Sequence, residues 1–303
     1  MKTFVGYLIV GLLRLIGRIP FPVAQRIGVG LGRLLLRFRN RSRDVARVNL
    51  QLVYPQLAGA GQQELLREVL EESGKSAAEM GAMWGASPEK GRQLIRKVHN
   101  QHILTDALQS GRGVLLCVPH HGNWEVLNHL MTLHTPITAM YRPAKNPVLD
   151  RWMLSSREQT GITLVPTTRG GVMALFRALD AGGVVGILPD QEPKRQSGVF
   201  APFMGVETLT PKLPHDLLQK TGALAIFAFA QRLPDAQGFE VHFLQASDDI
   251  YSDDARTSAT AMNEAIERCV AVCPAQYQWT YKRFKTSPDS EGGINRYKNA
   301  GVR

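Results

Sequence analysis

Residues 119–125 read PHHGNWE, in a chain that holds only eight histidines. Two of them, His120 and His121, stand side by side, five and four residues ahead of Glu125. His120 follows the apolar run VLLCV at 114–118, Gly122 and Asn123 make a tight turn, and Asn123 can cap a helix that begins at Trp124. Glu125 then falls in the first helical turn, where the helix dipole favours its charge. A five-residue gap through such a turn can bring Glu125 back against the His120 imidazole. There a carboxylate would fix the tautomer and stabilise imidazolium as it forms. The pair has no nucleophile of its own, so the nucleophile must come from the substrate. A hydroxyl attacking an activated acyl group fits. The bland alternative is a histidine and a cap used only for structure.

Other chemistries find less support. His121, Glu125 and His129 stand four apart, a spacing that suits metal ligands, but His121 lies in the turn and no second cluster completes a site. The helical His-Glu-x-x-His of zinc proteases is absent, so no metal is expected. Gly-x-Ser-x-Gly is also absent, which removes the usual serine hydrolase. Cys117, Cys269 and Cys273 are too few for a disulfide framework, and the last two read as small buried residues of one helix.

The elements that position PHHGNWE form an alternation. Residues 20–50 and 62–110 read as helical, and Gly111 and Gly113 stop the second stretch. VLLCV (114–118) is a short continuous apolar run, as expected of a strand buried on both faces, and ITAMY (137–141), ITLVP (162–166) and VVGILPD (184–190) read as further strands. Helical stretches separate them: WEVLNHLMTLH, then 147–161, then 171–183. Residues 222–230 and the FEVHFL segment add strands, 256–273 a helix, and the last 18 residues a loose tail. The fold class is α/β, a mostly parallel central sheet flanked by helices, with chemistry expected at the carboxyl ends of the strands. His120, Arg142 and Asp190 all follow or close strands and so reach the same edge.

Charge divides the chain. The net charge is +10, and residues 1–50 hold ten basic residues against the single acid Asp44. Their first stretch, FVGYLIVGLL at 4–13, is uncharged and apolar, yet ten helical residues span only about 15 Å against a bilayer core of roughly 30 Å. A buried helix is one reading. The other, preferred here, is a helix at the membrane interface whose arginines meet anionic headgroups from the cytoplasmic side. The arginines flank leucines in an apolar helical pattern, LGRLLLRF, and no nucleic-acid module is recognisable, so nucleic acid is not an expected partner.

HHGNWE resembles the H-x4-D/E motif of membrane acyltransferases, and more narrowly the version found in the late acyltransferases of lipid A biosynthesis. YRPAKNPVLDRW (141–152), SREQTGITLVP (156–166), ILPDQEP (187–193), GVFAPFMGVETLT (198–210) and QWTYKRFKT (278–286) resemble further blocks of that family, in order. The resemblance implies transfer of a fatty acyl chain from acyl carrier protein to a hydroxyl of an acylated, phosphorylated glucosamine disaccharide. The place implied is the cytoplasmic side of a bacterial inner membrane, with no cofactor. In this reading His120 is the general base and Glu125 holds it. Backbone amides near Gly122 and Asn123 stabilise the oxyanion, and His121 lines the site. Arg142 and Arg157 match family positions suited to phosphates, with a salt bridge to a neighbouring helix as the plain alternative for Arg157, and Asp190 positions one of these arginines. GVFAPFMGVETLT is either the wall of an acyl groove or a packed loop. The basic arm would also steer acidic acyl carrier protein. Other acceptors of related chemistry are a lysophospholipid, an aminolipid or another glycolipid, and the non-enzymatic rival is a membrane-associated binding protein. The division expected is a membrane-associating segment at 1–50, an α/β acyltransferase domain at 51–285 and a flexible tail at 286–303.

Overall fold

The structure is a computed structural model and describes residues 2–288 and 296–302. Its basic arm opens with two helices, α1 (Lys2–Ile16) and α2 (Phe21–Arg37), parted at the proline-containing segment IPFP. Pro22 is tolerated in the first turn of α2, where a missing N–H costs nothing. Next come α3 (Arg41–Val53) and the 26-residue α4 (Ala60–Gly85). The Asn40 side chain caps α3 by accepting from the Arg43 N–H at 3.0 Å. Both arm helices lie against α4 with backbone nearly touching backbone. A Cβ on Gly28 would come within 2.5 Å of Lys75 Cα, and one on Gly81 within 2.0 Å of the Leu13 carbonyl oxygen.

After α5 (Pro88–Arg92) the chain departs from the expected helix over 62–110 and forms a strand, β1 (Ile95–His99), before α6 (Gln101–Gln109). Leu94, Ile95 and Val98 repeat at a helical spacing, but β1 gains its hydrogen bonds from the strand Phe239–Leu244, far away in sequence. The alternation that follows is the one expected: β2 (Val114–Cys117), α7 (Glu125–Met131), β3 (Ile137–Tyr141), α8 (Pro147–Gln159), β4 (Ile162–Pro166), α9 (Arg169–Asp180) and β5 (Val184–Ile187). GVFAPFMGVETLT is not a loop. It forms an antiparallel hairpin, β6 (Gly198–Phe203) and β7 (Val206–Pro211), turning at Met204 and Gly205. The last elements are α10 (Leu213–Thr221), β8 (Leu224–Arg232), β9 (Phe239–Leu244), α11 (Ala255–Val272) and α12 (Arg296–Asn299).

Seven strands form the main sheet in the order β1-β9-β8-β2-β5-β3-β4. β8, β2, β5, β3 and β4 are mutually parallel; β9 turns back antiparallel to β8, and β1 runs parallel to β9. Successive residues of a strand point to opposite faces, so each central strand feeds two cores. Leu115, Cys117, Val185 and Phe227 join the core under α3, α4, α9 and α11. Leu116, Val118, Val184 and Ile226 join the other, with α6 and α7. Of the stretch expected to be a loose tail, Tyr297 is fully buried, and its hydroxyl donates to Asn49 Oδ1 at 2.5 Å. Residues 289–295 and 303 of that stretch lie outside the described residues.

Candidate active site

β2 and β5 are neighbours, with Cys117 level with Ile187. The chain runs three residues past each before it reaches His120 and Asp190, so equal overhangs set the two side chains together. His120 Nδ1 lies 2.7 Å from Asp190 Oδ1, and the His120 backbone N–H donates to Oδ2 at 2.8 Å. Asp190 is buried, which alone would raise its pKa. The His120 charge and hydrogen bonds, with Arg283 further off, outweigh burial and hold the carboxyl below the ordinary carboxylate range. An ionised Asp190 requires the proton on Nδ1, which leaves the lone pair on Nε2. The Gln191 amide donates to that Nε2 at 3.2 Å and to Gln278 Oε1 at 3.0 Å. Trp124 closes one side, its ring edge-on to the imidazole at 5.0 Å.

The carboxylate on His120 is therefore Asp190, not Glu125. Glu125 does stand in the first turn of α7, but its carboxylate faces α8. Arg157 donates to it twice, Nη2 to Oε1 at 2.5 Å and Nε to Oε2 at 3.3 Å, and Asn128 Nδ2 adds a bond to Oε2 at 2.8 Å. For Arg157 the two readings merge, since its partner on the neighbouring helix belongs to the motif itself.

The turn also departs from expectation. Gly122 holds φ +61, and a Cβ there would fall 1.9 Å from the Ala230 carbonyl oxygen, so glycine is required twice over. Its N–H donates to Gln276 O at 3.1 Å, and the Asn123 N–H donates to Ala230 O at 3.0 Å. Both amides are spent on holding the turn, Asn123 to the sheet strand β8 and Gly122 to the turn after α11, which removes them as oxyanion donors. α7 begins at Glu125, one residue later than expected, and the Asn123 side chain accepts from the Glu125 N–H at 3.2 Å from the position before the N-cap Trp124. His121 does not line the site. It points away from His120 into the core, fully buried between Phe229 and Tyr277, with Nε2 3.1 Å from Cys273 Sγ. Burial pushes its pKa down to about 3, only partly offset by Asp190, and pushes the Cys273 thiol up to about 12. His121, Glu125 and His129 accordingly face different partners and form no ligand set. Arg142 follows β3 as an exposed side chain without a hydrogen bond or ion pair among the described residues.

Comparison with known proteins decides the family. Residues 1–286 match the bacterial lipid A biosynthesis acyltransferases. The chain belongs to this family. A lipid A biosynthesis lauroyltransferase of Escherichia coli is 30% identical over 297 residues, which cover 98% of this chain and 95% of that protein. The palmitoleoyltransferase of the same organism is 28% identical over 285 residues, 94% and 92% of the two chains. A lipid A biosynthesis acyltransferase of Haemophilus influenzae is 28% identical over 294 residues, 96% and 93% of the two.

In this lipid A acyltransferase an apolar slot opens beside the His120–Asp190 pair. Leu116, Val118, Ile137, Ala139 and Gly186 form its sheet wall, Leu127 and Met131 its α7 wall, with Trp124, Asn128 and Arg157 also lining it. Gly186 keeps the slot open, since a Cβ there would meet Ile137 Cγ2 at 3.2 Å. Behind the turn lies a buried polar cluster that the sequence did not signal, its members being far apart in the chain. Glu79 accepts from Arg232 Nε and Nη2, each at 2.6 Å, from Gln25 at 2.7 Å and from Asn123 Nδ2 at 2.9 Å. Glu79 and Arg232 are both almost wholly buried, so their charges are worth keeping only because every lone pair finds a donor. The cluster ties α2, α4 and β8 to the turn that carries His120.

Proposed function

We propose that this acyltransferase moves a fatty acyl chain from acyl carrier protein to a hydroxyl of an acylated, phosphorylated glucosamine disaccharide, with His120 as general base. The observation that carries the reading is the His120–Asp190 pair, whose Nε2 accepts, among the described residues, only from the Gln191 amide and whose ring packs on Trp124, a residue of the apolar slot. The acceptor hydroxyl takes the place of the Gln191 amide on Nε2 and gives up its proton there. Its oxygen attacks the thioester carbonyl, the carbon–sulfur bond breaks, and the leaving thiolate takes the proton back from the imidazolium. Asp190 keeps Nδ1 protonated throughout and stabilises the transient cation. The side-chain amide of Gln191, displaced from Nε2 by the hydroxyl, is then available to donate to the developing oxyanion. Such a donor is typically worth ~3 kcal/mol. Arg157, held in place by Glu125, and the exposed fork of Arg142 suit the phosphates of donor or acceptor.

The same reading places the acyl chain in the slot. A Gly186→Ala substitution, which adds one carbon to the slot wall, is expected to shift the preferred donor to a shorter chain by roughly tenfold in kcat/KM, the usual scale for one methylene in an apolar pocket. Competing acyl carrier proteins of graded chain length would measure it, and an unchanged preference would move the chain elsewhere.

We propose that segment 1–50 is the membrane-docking part. Phe4, Tyr7, Leu8, Leu12 and Leu15 of α1, and Ile27, Leu31 and Leu34 of α2, are apolar side chains left exposed among the described residues. Arg14 stands among them on α1, and Arg26, Arg33 and Arg37 on α2. No helix among the described residues is long and apolar enough to cross a membrane. The 15 residues of α1 reach only about 22 Å, which suits a helix lying in the interface. Leu8→Glu together with Leu12→Glu is expected to lower binding to vesicles containing anionic phospholipid by more than ~10-fold, read by sedimentation. Binding unchanged by both charges would put the docking face elsewhere.

The test of the function is a transfer assay on the purified chain. It uses loaded acyl carrier proteins, a tetra-acylated disaccharide precursor as acceptor, and His120→Ala alongside. Acylated disaccharide formed by the wild type and not by His120→Ala is the expected result. Thioester cleavage without acylated disaccharide would overturn the acceptor, and no consumption of any thioester would overturn the donor.

A further inference from the structure

At the edge of the sheet opposite β4, far along it from the slot, three side chains converge that the acyl transfer does not use. β1 and β9 are parallel, and His99 stands level with His242. Glu240, two residues before His242, points to the same face. The two imidazoles stack at 4.3 Å between centroids with 7° between planes, and His99 Nε2 lies 2.6 Å from Glu240 Oε2. One ligand atom from each of the three residues falls within 4.8 Å of the others. All three are partly exposed, so an ion can enter from solvent.

We propose that His99, Glu240 and His242 form a binding site for a divalent transition-metal ion of the zinc class. Two imidazoles with one carboxylate suit Zn2+ and its neighbours, and do not suit Mg2+ or Ca2+, which take oxygen ligands. Donors sharing one tetrahedral ion stand roughly 3.3 Å apart at ligand distances of about 2.0–2.2 Å, so small side-chain rotations close the triangle. The second shell is in place. His242 Nε2 lies 3.0 Å from Gln231 Oε1, an arrangement that fixes the tautomer and leaves the other ring nitrogen for the ion. Lys97 shares the face, but it is exposed and its long chain can turn to solvent. The fourth position is left for water. The bound ion joins the edge strand β1 to β9, where the pairing carries a register shift between Ile95 and Lys97. A stack of rings then runs inward, from His242 to Phe229 at 4.7 Å and from Phe229 to His121 at 4.8 Å.

The test uses the full chain in detergent, purified without a histidine tag and stripped with EDTA. Zn2+ is titrated by calorimetry, and Co2+ by visible absorbance, which reports four- or five-coordinate ions. The expected result is one ion per chain, with Tm rising as Zn2+ is added. His99→Gln and His242→Gln should each weaken binding at least tenfold while matching the Tm of the EDTA-treated wild type. Glu240→Gln, which removes the charge alone, should weaken it as well and serves if a histidine variant folds poorly. Absence of stoichiometric binding would overturn the proposal, as would binding that survives the double variant His99→Gln/His242→Gln.

Discussion

Replacing Asp190 with asparagine is expected to lower kcat for acyl transfer by roughly 10^3–10^4-fold, the scale seen when a histidine base loses the carboxylate that sets its tautomer. Asparagine presents an amide of similar shape, but the substitution removes the negative charge that stabilises imidazolium. Its NH2 group can also face Nδ1, which moves the ring proton to Nε2 and blocks the base. Loss at Asp190 should therefore not add to loss at His120, and His120→Ala/Asp190→Asn should be no slower than His120→Ala alone. Glu125 acts through a different partner. Because it bonds to Arg157 and not to His120, its coupling energy in a double-mutant cycle should appear with Arg157→Gln and not with Asp190→Asn. Steady-state kinetics of these single and double variants decides the matter. An Asp190→Asn enzyme within tenfold of wild type, beside a Glu125→Gln enzyme as slow as His120→Ala, would return the supporting role to Glu125.

That reversal of partners marks where the sequence stopped being legible. The strands ITAMY and ITLVP were readable to the residue because each is a short β-prone run set between glycine- and proline-containing turns and the helices beside it, although only their first residues are buried. The arrival of His120 and Asp190 at one edge was readable too, since each stands three residues past the last paired residue of its strand. What could not be read was that β5, and not β3, lies next to β2. Without that adjacency, the carboxylate five residues from His120 is a more natural partner than one seventy residues away. The spent amides of Gly122 and Asn123 have the same origin. Their acceptors, Gln276 O and Ala230 O, belong to segments that only the folded chain brings near. Local chemistry failed in two further places. β1 carries a helix-like spacing because it is an edge strand whose pattern is not imposed by burial on both faces. The β6–β7 hairpin turns through Met204 and Gly205, both with positive φ, and methionine gives none of the Asn-Gly signal that usually marks such a turn.

His121 shows the reverse case, a residue whose chemistry is suppressed by its surroundings, and it carries the second large effect. Burial among Phe229, Tyr277 and Cys273 penalises a charged imidazole and pushes its pKa down to about 3 in the fold. In the unfolded chain the value returns to about 6.5. Below pH 6.5 the unfolded state therefore binds a proton that the folded state refuses, so stability must fall as pH falls, down to the folded value near 3. The contribution is fully present above pH 6.5. It declines by roughly 2 kcal/mol by pH 5, and by an order-of-magnitude limit of roughly 4–5 kcal/mol at pH 3, at about 1.4 kcal/mol per unit. His121→Phe removes the titration while keeping a ring of similar shape in an aromatic pocket, so at pH 7 its stability should lie within about 1.5 kcal/mol of wild type. His129 and His242 are also depressed, chiefly by burial, and they add to the acid sensitivity of both proteins equally. The difference between the two proteins isolates His121. Urea unfolding at pH 7 and pH 5 should show wild type losing about 2 kcal/mol more than His121→Phe over that interval. Equal losses would mean that water or a local opening reaches the ring, and that the second histidine of the motif is not the silent core residue its burial makes it.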